Sequence, residues 1–439
     1  MTEEDHSDTF SEIFRVFIFT FLILTQFKHF HLHRNTYNNT ENSHQINRIF
    51  NVEFKQPEIN IIQPPHSDKI YPKPTILFWD LPYRGFNCLF KPLCGESYNC
   101  DCRIGWWNEE VLEKSDAVVI SPVGNSKLEE KLDKNHSKNY DAELQNFKQT
   151  IDKFRRPSQL YVFFQSESPG MPIHQHDYTG FDNVFNATLS YRLDSTYKSP
   201  YGSIGLLENK YGWKVKDLPK FESKNLGVLS VISNCASNYR NQIVKKLVDL
   251  IKLPNGNSGL DVFGNCAKIF APNQTSKINV PRGPNEIDKL SKNYKFYLSF
   301  ENSKCKYYIT EKFFENGIKN GLVPIVSGAK RQEYEKFVPG SAFIHVDDFK
   351  TLEALSDRVN YLLKNDTAYQ EYFDWRTENE VIDNRYFAHN KEALNSDFGW
   401  CKLCKDLNSI RDGSFKRLPV IKELHKFWYG STENQVCRV

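Results

Sequence analysis

The chain has 439 residues, 39% of them hydrophobic and 14% aromatic, more than one ordinary core needs, so two folded domains are expected. Its formal net charge is only +3, with 57 basic side chains against 54 acidic ones, which gives no electrostatic case for nucleic-acid binding. No internal repeat is apparent.

In chain order, the first feature is an apolar run from Ile13 to Phe27, interrupted by Arg15, Thr20, Thr25 and Gln26. It is shorter than the roughly 20 residues that cross a bilayer without strain. A short signal anchor, a cleaved signal peptide and a buried helix compete for it. Lys28-His29-Phe30-His31 follows with no small-residue cleavage site, and a low-complexity polar segment comes next, so a single anchor is preferred. Arg15 before the run, against Lys28 and Arg34 after it, mildly favours the opposite orientation. Asn-x-Ser/Thr sequons at Asn38, Asn135, Asn186, Asn273 and Asn365, with ten cysteines, suit a lumenal, oxidising compartment and outweigh those two basic residues. His29, His31 and His33 alternate as a metal site could, but beside an anchor they read as a juxtamembrane coincidence. Residues 1–12 are then a cytosolic tail, 13–27 the anchor, and 28–74 a flexible stem rich in Asn, Gln, Pro and His.

From Thr75 the pattern becomes folded. Ile76-Leu77-Phe78-Trp79, Ala117-Val118-Val119-Ile120 and Leu160-Tyr161-Val162-Phe163-Phe164 are unbroken apolar runs, as buried parallel strands require. A helix over Leu144 to Phe154 joins the second to the third. Gln165-Ser166-Glu167-Ser168-Pro169 follows the third strand, which puts Glu167 where open parallel sheets place their chemistry; the plain reading is a turn residue before a proline. Further on, Arg192 and Asp194 are spaced to hold each other, a structural role.

The second half starts near Leu226, with a strand over Val228 to Ser233 and a tight loop over Asn234 to Asn238. A helix then presents Ile243, Val244, Leu247, Leu250 and Ile251 on one face. Arg240 lies in its first turn, where a guanidinium and free N–H groups can grip a phosphate, although a surface arginine is the plain alternative. Asp261 to Gly264 is the next strand. The β-rich runs Phe296 to Phe300 and Leu322 to Val326 flank a helix with Thr310 as N-cap, Phe313, Phe314 and Ile318 on its apolar face and Gly321 as its stop. The connecting loop concentrates Glu301, Asn302, Glu311 and Lys312. Lys312 beside a helix start suits a diphosphate, but polar residues also merely complement the helix dipole there. No Walker loop or GxGxxG supports ATP or NAD.

Cysteines fall as Cys88, Cys94, Cys100 and Cys102, then Cys235, Cys266 and Cys305, then Cys401, Cys404 and Cys437. The late Cys-x-x-Cys with His345 would suit zinc, but the irregular early spacing favours disulfides. Asp347-Asp348 imitates an Asp-x-Asp metal motif, and its structural reading is preferred.

Four of these blocks, FEN at 300–302, YITEK at 308–312, GLVPIVSG at 321–328 and FIHVDDF at 343–349, resemble in order and spacing the signature of the alpha-1,3-fucosyltransferases, glycosyltransferase family ten. The family usually has Asp where this chain has Tyr307. FNAT, SYR and DST between 185 and 196 resemble its FNWT-SYR-DSD segment, with Ala187 and Thr196 departing, and Asp261-Val262-Phe263-Gly264 matches another block. The resemblance spans roughly Pro74 to Cys404. It implies an α/β fold of GT-B type, two facing Rossmann-like domains with parallel sheets. Residues 75–224 would take the acceptor and 225–405 would bind GDP-fucose, leaving 406–439 as a C-terminal tail without recognisable chemistry.

The implied reaction is inverting transfer of L-fucose from GDP-β-L-fucose to a GlcNAc hydroxyl of glycoprotein N-glycans. The ESP triplet carries the general-base role to Glu167, and Arg240 inherits a phosphate contact. Lys312 would share the diphosphate, Glu311 would face the sugar ring, and Asn302 and Tyr308 would fix the nucleotide or fucose. With two such cations no obligatory metal is expected, although Mn or Mg stimulates some relatives. The late CxxC ties back to the first half in this family, so Cys401 and Cys404 are expected to pair within the 88–102 group, a closure worth about 4–5 kcal/mol in the chain-entropy model. A Golgi single-pass type II protein is implied, its catalytic region lumenal. The acceptor is the N-glycan core GlcNAc or an antennal lactosamine, and the cysteine-dense Asn87 to Trp107 stretch inclines toward the core. A sugar-binding pseudoenzyme is the rival of another class, but a lectin needs no base, and Glu167, Glu311, Lys312 and Arg240 are all present.

Overall fold

The computed structural model describes residues 73–79, 94, 99–105, 109–122, 139–170, 178–270, 286–377, 398–415, 417–431 and 433–438. All fall within one compact unit, Tyr71–Val439. The expected tail, anchor and nearly all of the stem, with Asn38, Asn135, Asn273 and Cys88, lie outside the described residues. Among the described residues no helix is long and apolar enough to cross a membrane.

In the first half, β1 (Thr75–Trp79), β2 (Asp101–Gly105), β3 (Ala117–Ile120), β4 (Leu160–Gln165), β5 (Ala187–Ser190) and β6 (Tyr197–Lys198) form one sheet in the order β2-β1-β3-β4-β5-β6. Every pairing in it is parallel. Alternate side chains serve opposite faces, which is why the strands read as unbroken apolar runs. Ile76, Phe78, Val119, Val162 and Phe164 join one core cluster, while Leu77, Val118, Ile120, Tyr161 and Phe163 join another. The helix Tyr140–Phe154 is longer than the sequence suggested and buries Phe147 and Ile151 in the second of these.

The second half holds β7 (Leu226–Val231), β8 (Leu260–Phe263) and β9 (Tyr294–Phe300), then the two-residue strand β10 (Lys304–Cys305), then β11 (Val323–Ser327) and β12 (Ile344–His345). Its five-stranded sheet runs β12-β11-β9-β7-β8, again all parallel. The helices Asn238–Leu250 and Leu352–Lys364 pack on it through Val244, Leu247, Leu355, Val359 and Leu362. β8 lies on one side of β7 and β9 on the other. The chain therefore reverses its direction of winding between β7 and β9, and the loops leaving their C-terminal ends open a crevice. Two parallel α/β halves are the arrangement the resemblance implied.

The expected boundary at residue 405 and the tail beyond it need correction. The helix Gly399–Arg411 straddles that boundary and packs on the first sheet, with Trp400, Leu403 and Leu407 in its core. Two disulfides fasten it there, Cys94–Cys401 and Cys100–Cys404. The helix Leu424–Tyr429 covers the other face through Leu424 and Trp428. A last strand, β13 (Cys437–Arg438), then pairs antiparallel with β10 of the second half. Most apolar residues of this stretch are covered by the first sheet, and that burial decides where it goes. Cys102 is also disulfide-bonded, and Cys235–Cys266 and Cys305–Cys437 complete the described pairings.

Trp400 is 2% exposed, with ring centroids 5.2 Å from Phe78 and 5.5 Å from Phe164. Trp400→Ala should lower unfolding free energy by about 3–5 kcal/mol in a denaturant titration. A loss below about 1 kcal/mol would remove this helix from the first half's core.

Candidate active site

At the C-terminal end of β9 the chain enters Glu301, which is fully buried. Its N–H donates to the Ser327 carbonyl at 2.9 Å, extending the ladder with β11. Its carboxylate accepts from the Thr310 N–H (2.8 Å), the Thr310 hydroxyl (2.9 Å) and Lys312 Nζ (3.2 Å). Burial pushes this carboxyl up in pKa, against the pull of Lys312. Thr310 still stands at the helix start, where its hydroxyl accepts the Lys312 N–H, but only at 3.5 Å, because that hydroxyl is turned to Glu301. A carboxylate shut off from water needs every donor in reach, which outweighs what a helix cap returns. The segment that follows is a π-helix, Lys312–Lys319, a form uncommon outside functional sites, with Phe313, Phe314 and Ile318 buried. Gly321 ends it at φ +64°, a left-handed position suited to glycine.

Lys312 Nζ sits between two carboxylates, 3.2 Å from Glu301 and 3.1 Å from Glu311, and donates a third bond to the Thr310 hydroxyl oxygen at 2.9 Å. Burial alone would make this ammonium a weaker base, but the two carboxylates reverse the sign and raise its pKa. Burial likewise pushes Glu311 up, and there Lys312 wins and holds it below the ordinary carboxylate value. Arg240 lies in the first turn of Asn238–Leu250, only 2% exposed. Its guanidinium donates to the Phe300 carbonyl (3.4 Å) and the Asn234 carbonyl, so it spans the ends of β7 and β9 at the switch point. Asn302 accepts from the Ser303 hydroxyl at 3.0 Å. Arg240, Asn302, Glu311 and Lys312 thus all belong to the loops of one crevice.

Glu167 comes from the first half and meets this group. The Ser166 and Glu167 N–H groups both donate to Gln165 Oε1, at 2.9 and 3.0 Å, which shapes the turn after β4. Glu167 Oε2 accepts from the Tyr308 hydroxyl at 2.8 Å. Burial pushes the Glu167 carboxyl up, while Tyr308 and then Lys312 pull it partly back. Tyr308, expected on the donor, here spends its hydroxyl on Glu167, and its ring packs against Tyr191 at 5.0 Å. Beside it the Ser168 and Ser303 hydroxyls bond to each other across the halves. Neither serine was singled out from the sequence; the signal available was their adjacency to Glu167 and Asn302. A carboxylate made more basic by burial can accept a proton, and a lysine shared by two carboxylates can turn toward an anion.

Other candidates are structural. Arg192 is bidentate to Asp194, both contacts 2.8 Å, and Lys306 adds a third at 2.9 Å. Asp347 pairs with Arg438 at 2.9 Å and Asp348 with Arg331, which agrees with the structural reading of that couplet. Asn186 must be corrected as a glycosylation site. It is 6% exposed, with Oδ1 accepting from the Tyr161 N–H (3.1 Å) and Nδ2 donating to the Leu418 carbonyl (3.3 Å), so a glycan there would displace both bonds. Asn365 caps Asp366–Gln370, half-buried, with Nδ2 on the Tyr361 hydroxyl at 2.8 Å. Among the described residues no group of three or more His, Cys, Asp or Glu is placed to hold a metal.

Two family models match the chain: "Fucosyltransferase, N-terminal" over 71–202 and "Glycosyltransferase family 10 (fucosyltransferase) C-term" over 221–426. Alpha-(1,3)-fucosyltransferase fut-1 of Caenorhabditis elegans is 34% identical over 57% of this chain and 53% of its own length. Glycoprotein 3-alpha-L-fucosyltransferase A of Drosophila melanogaster is 30% identical over 63% and 49% respectively. The chain thus spans about half the length of these two. Alpha-(1,3)-fucosyltransferase fut-6 of C. elegans is 33% identical over 69% of this chain and 70% of its own.

The Arg192–Asp194–Lys306 group joins the halves and has a pH signature. Burial pushes the Asp194 carboxyl up, but Arg192 and Lys306 hold it down at about 2, from 3.8. Its stabilisation is therefore present above the unfolded value and lost as pH falls from about 4 to about 2. Asp194 is a third exposed, so screening leaves about 1 kcal/mol of it. Asp194→Asn should cost about that much at pH 7, and the gap from the parent should close toward pH 2. A gap of constant size across that interval would refute the ion-pair account.

Proposed function

The chain belongs to glycosyltransferase family 10, and from that membership and this site we propose that it is an inverting α-1,3-fucosyltransferase using GDP-β-L-fucose. The observation that carries the reading is the Tyr308–Glu167 bond. It puts a carboxylate of the first half, made more basic by burial, against the stretch that ends in Glu311 and Lys312. Glu167 removes the proton of the acceptor hydroxyl as that oxygen attacks the anomeric carbon of fucose. Lys312 and Arg240 neutralise the leaving diphosphate, as point charge and as fork. Glu311 faces the sugar ring, where its negative charge steadies an oxocarbenium-like centre, and Asn302 fixes the nucleotide. A single in-line displacement inverts the anomeric centre and yields the α-fucoside. Two protein cations supply the charge a metal would bring, so activity is expected to persist in chelator.

For the acceptor we propose a GlcNAc of glycoprotein glycans, the N-glycan core residue first and an antennal lactosamine second. The name of the Drosophila relative supports a glycoprotein acceptor, and the cysteine-dense stretch before β3 inclines the choice toward the core. For the location we propose a Golgi membrane, type II, with the catalytic region lumenal. Support comes from four described disulfides, bonds that persist in oxidising compartments.

Incubation with GDP-fucose and defined glycans, followed by linkage analysis, tests the reading directly. Fucose on lactosamine alone would move the acceptor to the antenna, and GDP-fucose binding without transfer would leave a sugar-binding protein. Glu167→Gln should keep GDP-fucose affinity and lose turnover by about 100-fold or more; a near-parental rate would exclude it as the base. The Tyr308 hydroxyl holds down the Glu167 pKa, so Tyr308→Phe should raise it further. The base must be ionised, so the acid limb of kcat/KM moves to higher pH in that variant. An acid limb unmoved, or moved to lower pH, would contradict the contact.

A further inference from the structure

Residues 430, 431 and 433–438 carry none of the chemistry just described, yet they bridge the two sides of the crevice. They leave the first half at the helix Leu424–Tyr429, where the Phe427 and Trp428 carbonyls accept from Arg192. They arrive in the second half as β13, with Cys437 opposite Cys305, Arg438 opposite Lys304, and the Lys306 N–H on the Val436 carbonyl at 2.8 Å. Cys305 and Cys437 are joined as a disulfide. Arg438 donates to Asp347 and to the Gly328 carbonyl, both at 2.9 Å. Gly328 in turn lies against the Glu301 side chain, where a Cβ would stand 2.9 Å from Cγ.

The turn that bears Glu167 rests on this bridge. Gly170 follows Glu167 by three residues, and a Cβ on it would stand 2.7 Å from Cys305 Sγ, 2.7 Å from Ser303 Cβ and 3.3 Å from Cys437 Sγ. The Ser168–Ser303 bond closes the same contact one turn earlier. The sulfur pair is thus the floor under the 166–170 turn and, through Cys305, part of the loop that leads to Tyr308, Glu311 and Lys312.

We propose that the Cys305–Cys437 bridge and Arg438 form a clamp that sets the distance between the Glu167 turn and the donor loop, making Cys437, Arg438 and Gly170 positioning residues for the transfer. The proposal rests on the fucosyltransferase reading for its rate effect, but not for its structural effect. None of the three residues touches the reacting groups. Releasing the clamp therefore spoils the placement of the base while the donor crevice, built by Arg240, Glu301 and Lys312, stays intact.

The test uses the full chain and three variants: Cys305→Ser with Cys437→Ser, Arg438→Ala, and Gly170→Ala. Hydrogen exchange of the Ser166, Glu167, Ser168 and Gly170 amides should speed up by about tenfold or more in each. GDP affinity by calorimetry should stay within about threefold, while kcat for GDP-fucose transfer falls by about tenfold or more. Unchanged exchange overturns the clamp. So does a loss of GDP affinity that matches the loss of kcat, since that would make the segment a support of the donor crevice alone. A parent protein that transfers no fucose would sink the functional reading, and the exchange data would still decide the clamp. If the double serine variant does not fold, Gly170→Ala keeps the disulfide and carries the same comparison.

Discussion

An ionised carboxylate withdrawn from water costs several kcal/mol unless donors surround it. Glu301 is such a group, and the geometry of the crevice follows from satisfying it. The loop after β9 must bring Thr310 and Lys312 back to Glu301. To make that return, Tyr307 takes a left-handed backbone at φ +60°, uncommon for a non-glycine residue. The return also fixes Tyr308, whose side chain then leaves the second half and reaches Glu167. Space is part of the same constraint: Gly328 has no side chain because Glu301 occupies the place of one.

The halves share an apolar cluster that joins Leu193, Ile204, Leu207 and Val215 to Phe313, Phe314 and Ile318, and beside the candidate site they meet through polar contacts. Tyr308 donates to Glu167, Ser168 bonds Ser303, and Lys306 pairs with Asp194. All three involve the loop between Glu301 and Lys312 on one side and residues just beyond strands of the first sheet on the other. The loop between Glu301 and Lys312 therefore supplies the second half's side of all three contacts.

Much of this was legible in the sequence because it is written locally. ILFW, AVVI and LYVFF read as strands since both faces of their sheet are covered. What is set by distant partners was not legible. β2, Asp101–Gly105, is a polar edge strand whose only cue is its pairing with β1. Tyr308 meets Glu167 from 141 residues away, so no spacing rule could link them. The sequon at Asn186 is a three-residue pattern blind to the burial of its own amide. The stretch after Cys404 looked like a tail because its apolar residues answer to a sheet laid down more than 200 residues earlier.

That last placement also bears on how the chain assembles. Trp400 and Leu403, which cover Phe78 and Phe164, are made only after every strand of the second sheet. The bonds that fasten them close loops of 307 and 304 residues. During vectorial synthesis the first sheet must therefore wait with one apolar face incompletely covered while the second half, whose strand partners are all near in sequence, condenses ahead of it. Such a delay exposes a sticky surface to the machinery of the compartment, and it makes the earlier half of the molecule the later one to mature.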